Sequence, residues 1–165
     1  MLDEQRVCKI ANVQFPTFSD LTSAERDWID RQIQAARVFV SEFSPGDAWS
    51  PIRLEALDRA FGNWLDTQPR KKGDINGVIN TVGIAFGSVL VEQRGFNWTI
   101  ASDEQGTDLA LRALPNRGDV VVFPANFVAK RWDRKERDFL VHGFEEISEY
   151  QQKLRAECEA HARQK

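Results

Sequence analysis

Apolar residues recur at helical spacing from Thr22 onward, with Ile29, Ile33, Ala36, Val40 and Phe43 falling at alternating steps of four and three. Thr22 and Glu25 have the spacing of a capping box ahead of that stripe, and Ser44-Pro45-Gly46-Asp47 ends it. A second helix is expected to start with Ser50 as N-cap and Pro51 in the first helical position. It presents Leu54, Leu57, Phe61 and Leu65 to a core before Pro69 stops it. The charged run Arg70-Lys71-Lys72-Gly73-Asp74 then leads to a third helix, which Asp74 is expected to cap and which ends near Arg94 with Gly95 beyond it. One side of this helix carries Ile75, Ile79, Val82, Phe86 and Val89, and a neighbouring side carries Asn76, Asn80, Gly83 and Gly87. A glycine inside a helix costs about 1 kcal/mol relative to alanine. Two on one face therefore predict that a strand or helix backbone packs close there.

After Gly95 the period changes to two. Phe96, Trp98 and Ile100 alternate with Asn97, Thr99 and Ala101, and Leu109 and Leu111 alternate with Ala110 and Arg112. Asp103-Glu104-Gln105-Gly106 joins the two runs as a hairpin turn. The turn Pro115-Asn116-Arg117-Gly118-Asp119 then leads into Val120-Val121-Val122-Phe123, which reads as a strand buried on both faces. A short helix is expected from Pro124 through Lys130. A longer one carries Leu140, Phe144, Ile147, Leu154 and Cys158, and its polar residues from Gln152 onward are expected to project or fray. Val13 and Phe15, ahead of Pro16, suit either an edge strand or an irregular packed arm. The expectation is one α+β domain with an N-terminal arm over 1–18, a helical part over 20–94, a three-stranded antiparallel meander over 96–123 and C-terminal helices over 124–165.

Several of these segments share a pattern: Gly83-Ile84-Ala85-Phe86-Gly87 with Leu90, then Trp98, Asp103-Glu104-x-Gly106, Leu109-Ala110-Leu111, Val122-Phe123-Pro124 and Lys130-Arg131. The pattern resembles a family of small bacterial proteins of unknown function, in which a glycine-bearing helix precedes a three-stranded meander and another helix. It spans roughly residues 74–140. The resemblance implies a bacterial origin and this fold, and carries no catalytic residue with it.

Composition narrows the function classes. The 165 residues hold 42% apolar side chains, enough for a real core, and 22 Lys plus Arg against 25 Asp plus Glu leave a formal charge of −3. That balance argues against a dedicated nucleic-acid binder. Two cysteines, Cys8 and Cys158, are too few for a secreted disulfide framework and read as free thiols. No apolar stretch approaches the roughly 18–20 residues that cross a bilayer, and the first residues lack a signal-peptide pattern. A cytoplasmic location without membrane attachment is expected.

Catalytic constellations are sparse. Ser88 follows Gly87 without the strand-to-helix elbow of a nucleophilic serine, and Cys158 with His161 supplies only two ligands where zinc needs four. Asp103, Glu104 and Asp108 crowd the hairpin turn but lack the calcium-loop spacing, and no phosphate-binding glycine loop is present. Neither a catalytic residue nor a metal or cofactor site is assigned.

Five Trp and eleven Phe are a large aromatic supply for this length. Trp49, in a Pro-Gly loop, and Trp132, among Lys130, Arg131 and Arg134, are candidates for an interaction surface, since Trp and Arg are enriched at binding hot spots. The expected function is therefore non-catalytic binding of a protein partner, in the manner of an immunity or antitoxin-like protein. Residues 1–66 carry a net −4, which could steer a basic partner, whereas 67–165 carry +1. The alternative is a small-molecule binder or hydrolase with a pocket between the meander and the glycine face of helix 74–94, where Asn76, Asn80 and Asp108 would supply polar contacts.

Overall fold

The computed structural model describes residues 16–47 and 51–163. Their order is β1 (Thr17–Ser19), α1 (Ser23–Phe43), α2 (Leu54–Asp66), α3 (Lys72–Arg94), β2 (Asn97–Asp103), β3 (Gly106–Ala113), β4 (Val120–Val122), α4 (Pro124–Arg134) and α5 (Phe139–Arg163). The fold is α+β. Its sheet has four antiparallel strands in the order β1-β2-β3-β4 rather than three. The additional strand pairs Thr17, Phe18 and Ser19 with Ser102, Ala101 and Ile100. Val13, Phe15 and Cys8 lie outside the described residues.

The capping box predicted for α1 is complete: Thr22 Oγ1 accepts from the Glu25 N–H at 3.3 Å, and Glu25 Oε2 accepts from the Thr22 N–H at 2.6 Å. The other helix starts differ from expectation. Ser50 lies outside the described residues, Pro51 precedes the helix, and α2 begins at Leu54 with Arg53 as N-cap. Helix α3 begins at Lys72, capped by Lys71, so Asp74 sits inside its first turn, where a carboxylate favours the positive end of the helix dipole. Gly95 ends α3 in the left-handed conformation at φ 68°, as its position predicts.

Helix α3 is the centre of the molecule. Its residues Thr81 to Gly87 are all buried, and it packs against α1, α2, α4 and α5. By length and composition it could cross a membrane, contrary to the expectation that no segment qualifies. Over half of its apolar window is instead enclosed by the protein's own elements. A main core unites Phe39 and Val40 of α1, Leu57, Phe61 and Trp64 of α2, Phe86 and Leu90 of α3, Leu111 of β3 and Leu140 of α5. A second, smaller cluster joins Leu21, Ile29 and Ile84 beneath Trp98, Ile100 and Leu109.

The glycine face of α3 packs as closely as predicted. A Cβ on Gly83 would stand 2.8 Å from the Pro124 carbonyl oxygen and 2.9 Å from the Ala125 Cα, so the α4 backbone occupies that position. At Gly87 the neighbour is the Trp98 ring, with Leu111 beside it. Strand β4 is an edge strand in which Val120 and Val122 are buried and Val121 half-buried, so its apolar run does not mark a central strand. Phe123 caps α4, which continues four residues past Lys130 to Arg134. Helix α5 does not fray after Gln152: it runs to Arg163, Leu154 packs on the core, and the half-buried Cys158 Sγ contacts the Arg117 carbonyl at 3.1 Å.

Candidate functional site

The run from Lys130 to Arg137 ends α4 and turns into α5, and helix geometry disperses its charges. Arg131 reaches back one turn to lie over the Phe127 ring at 3.7 Å, while one of its nitrogens faces Glu136 at 3.7 Å. Arg134 points outward and pairs with Glu136, and Lys130 is exposed without an ion pair among the described residues. Trp132 turns inward, its ring 5.1 Å from that of the buried Trp64. The four residues singled out in this stretch therefore do not form one surface. Trp49 lies outside the described residues.

Trp132 instead floors a groove assembled from two helix-end loops. Leu65, Gln68, Pro69 and Arg70 come from the end of α2 and the loop after it, and Lys135 and Arg137 from the loop between α4 and α5. The concavity has a volume of about 390 Å³. Both loops reverse through left-handed residues, Gln68 at φ 53° and Lys135 at φ 55°, which turn the chain sharply enough to place the loops side by side. Arg137 ties them together. It donates to the Gly62 carbonyl at 3.1 Å and forms a two-pronged pair with Asp66, holding that carboxyl below its ordinary value.

The rim charge is unbalanced. Arg137 is committed to Asp66, but Arg70 and Lys135 have no carboxylate within ion-pair distance among the described residues. Lys135 places its ammonium 3.0 Å from the centre of the Trp132 ring, a cation–π contact at the groove mouth. Sequence proximity concealed this site, because Arg70 and Lys135 are 65 positions apart. The available signal was the cationic residues just after two helix ends.

The alternative pocket is not assembled. Pro124 and Ala125 close over Gly83, and Trp98 and Leu111 close over Gly87. Asn76 is exposed two turns before Gly83, about 10 Å along the axis at 1.5 Å per residue, and Asn80 is half-buried between them. Asp108 accepts from Asn126 at 3.2 Å and lines a shallow hollow at the hairpin tip that neither Asn76 nor Asn80 joins. Among the described residues no three His, Cys, Asp or Glu side chains gather as a metal-binding group.

Among the described residues the buried charge is Asp58 on α2, which sequence reasoning passed over. Its two oxygens accept the Leu140 and Val141 N–H groups at 2.9 and 3.2 Å, so it caps the start of α5 from a different helix. Burial raises its carboxyl above the ordinary value, against the pull of those backbone donors. With both oxygens occupied by backbone donors, Asp58 is a structural clamp.

An α+β domain with a helical core and a cation-rimmed groove over Trp132 is the class these features define. Residues 61–140 match the family described as Domain of unknown function (DUF3806), in agreement with the resemblance drawn from the glycine helix and meander. Every residue lining the Trp132 groove falls inside that span. No curated protein and no solved structure matches the chain.

Proposed function

We propose that the protein is non-catalytic and works by binding another protein, with the Trp132 groove as its contact surface. The observation that carries this reading is the composition of the groove: a half-buried tryptophan on a rigid helix, flanked by a leucine and a proline and rimmed by three cationic side chains. Tryptophan and arginine dominate binding hot spots because they combine large apolar area with directional polar contacts at modest entropic cost. Fixed geometry adds to this, since Trp132 is held by Trp64 and the loops by Arg137, so little ordering remains to be done on association. In its finer form the protein is a bacterial, cytoplasmic immunity or antitoxin-like protein whose groove covers part of a toxin.

A photo-crosslinking residue introduced at Gln68, an exposed position lining the groove, tests the reading in the native cell, with Val38, 63% exposed on α1, as the control position. A discrete protein adduct at position 68 that is absent at position 38 supports it. Identical adduct patterns at both positions, or none at position 68, refute it.

A further inference from the structure

We infer that the segment held in the Trp132 groove is an acidic stretch of polypeptide with one apolar side chain set against the tryptophan rim, an inference that rests on the binding reading above. The chemistry is that of unanswered charge. Arg70 and Lys135 project at one mouth with no carboxylate in reach among the described residues, and Lys71 and Lys72 follow Arg70 directly, also exposed and unpaired. A carboxylate-bearing ligand supplies the missing partners, and arginine offers it a fork of parallel donors. Leu65, Pro69 and the uncovered part of Trp132 provide the apolar floor on which an anchoring side chain is desolvated.

A nucleic-acid strand fits the same groove less well, for two reasons. Stacking of a base needs an open ring face, and Trp132 already carries the Lys135 ammonium at 3.0 Å and the Trp64 ring at 5.1 Å. A phosphate backbone also needs a continuous cationic track. Here Asp66, Asp133, Glu136 and Asp138 interrupt the positive charges along the two segments that form the groove.

Selection of random ten-residue peptides displayed on phage against the full chain tests the inference, with the Arg70→Glu and the Arg70→Glu/Lys135→Glu proteins as counter-targets. Arg70 is exposed in a loop, so the single variant guards against a folding defect in the double one, and circular dichroism checks both. The expected result is enrichment of sequences with several Asp or Glu around one large apolar residue. Synthetic versions should bind saturably, lose at least tenfold in affinity to either variant, and weaken as salt rises from 50 to 300 mM, on the order expected for a few screened ion pairs. Enrichment of basic or uncharged peptides, no enrichment at all, or equal binding by wild type and variants overturns the inference. So does tighter binding of a fluorescent twenty-nucleotide oligothymidine than of the best peptide. If crosslinking at Gln68 succeeds while the selection fails, protein binding at the groove stands and the acidic ligand falls; if both fail, the reading beneath it falls as well.

Discussion

Gly83→Ala and Gly77→Ala place the same methyl group in the same helix and should have opposite effects. At Gly77 nothing lies within 4 Å of a new Cβ, so alanine adds only helix propensity, about 1 kcal/mol of stabilisation. At Gly83 the methyl would meet the Pro124 carbonyl oxygen at 2.8 Å and the Ala125 nitrogen and Cα at 2.9 Å. Those are backbone atoms of α4, which cannot rotate aside as a side chain would. Helix α4 must move off α3 by several tenths of an ångström, and overpacking of this kind costs about 1–3 kcal/mol. Because both variants gain the same intrinsic propensity, their difference isolates the clash at about 1–3 kcal/mol. With about 2–4 °C per kcal/mol at this chain length, thermal unfolding followed by far-ultraviolet circular dichroism should separate them by ~2–12 °C, Gly77→Ala melting higher. Equal melting temperatures, or a more stable Gly83→Ala, would show that α3 and α4 do not touch at this point and would remove the support on which Trp132 is placed.

Other perturbations follow from the same contacts. Asp58→Ala leaves the Leu140 and Val141 N–H groups without their acceptor and should cost about 1–3 kcal/mol in urea unfolding. Asp58 also has a pH signature. Its carboxyl is raised by burial in the folded chain, so folding takes up a proton; its contribution to stability is complete below the unfolded value near ~4 and is lost as pH rises through the folded one. The stability of wild type minus that of Asp58→Asn should therefore fall with rising pH above about 4, and a flat or rising difference would contradict the burial argument. Trp64→Ala removes a buried ring that touches Phe39, Phe61 and Trp132, which should cost about 3–5 kcal/mol and, in crystals of any variant that still folds, let Trp132 sink and deepen the groove.

Local signals in the sequence were enough for what local physics decides. The Thr22–Glu25 capping box, the Gly95 stop and the turn at Asp103-Glu104-Gln105-Gly106 each rest on residues within one turn of each other, and each is present. The paired glycines of α3 even announced a close neighbour, although not that α4 would meet one and Trp98 the other. What sequence pattern missed depends on distant partners. Strand β1 has three residues, too few for alternation to register, and its partner strand begins some eighty positions later. The candidate cluster Lys130, Arg131, Trp132 and Arg134 was suggested by adjacency, whereas a helix turns each successive side chain by about 100°. Arg131 accordingly folds onto Phe127, Trp132 onto Trp64, and the other two face solvent. Asp58 stood in plain view as one of two acids, with Glu55, in the helical stretch Leu54 to Leu65, but only the arrival of α5 gives it a purpose.

The span 61–140 by which relatives are recognised starts partway through α2 and stops two residues into α5. Severed there, the polypeptide would forfeit β1 and α1, leaving the outer edge of β2 with unanswered amide groups and laying bare Ile84, Trp98 and Leu109. Asp58 would be gone, and with it the anchor for whatever remained of the last helix. The stretch that similarity detects and the stretch that can stand alone as a folded body are thus different objects, and the flanking segments act as an integral casing for it.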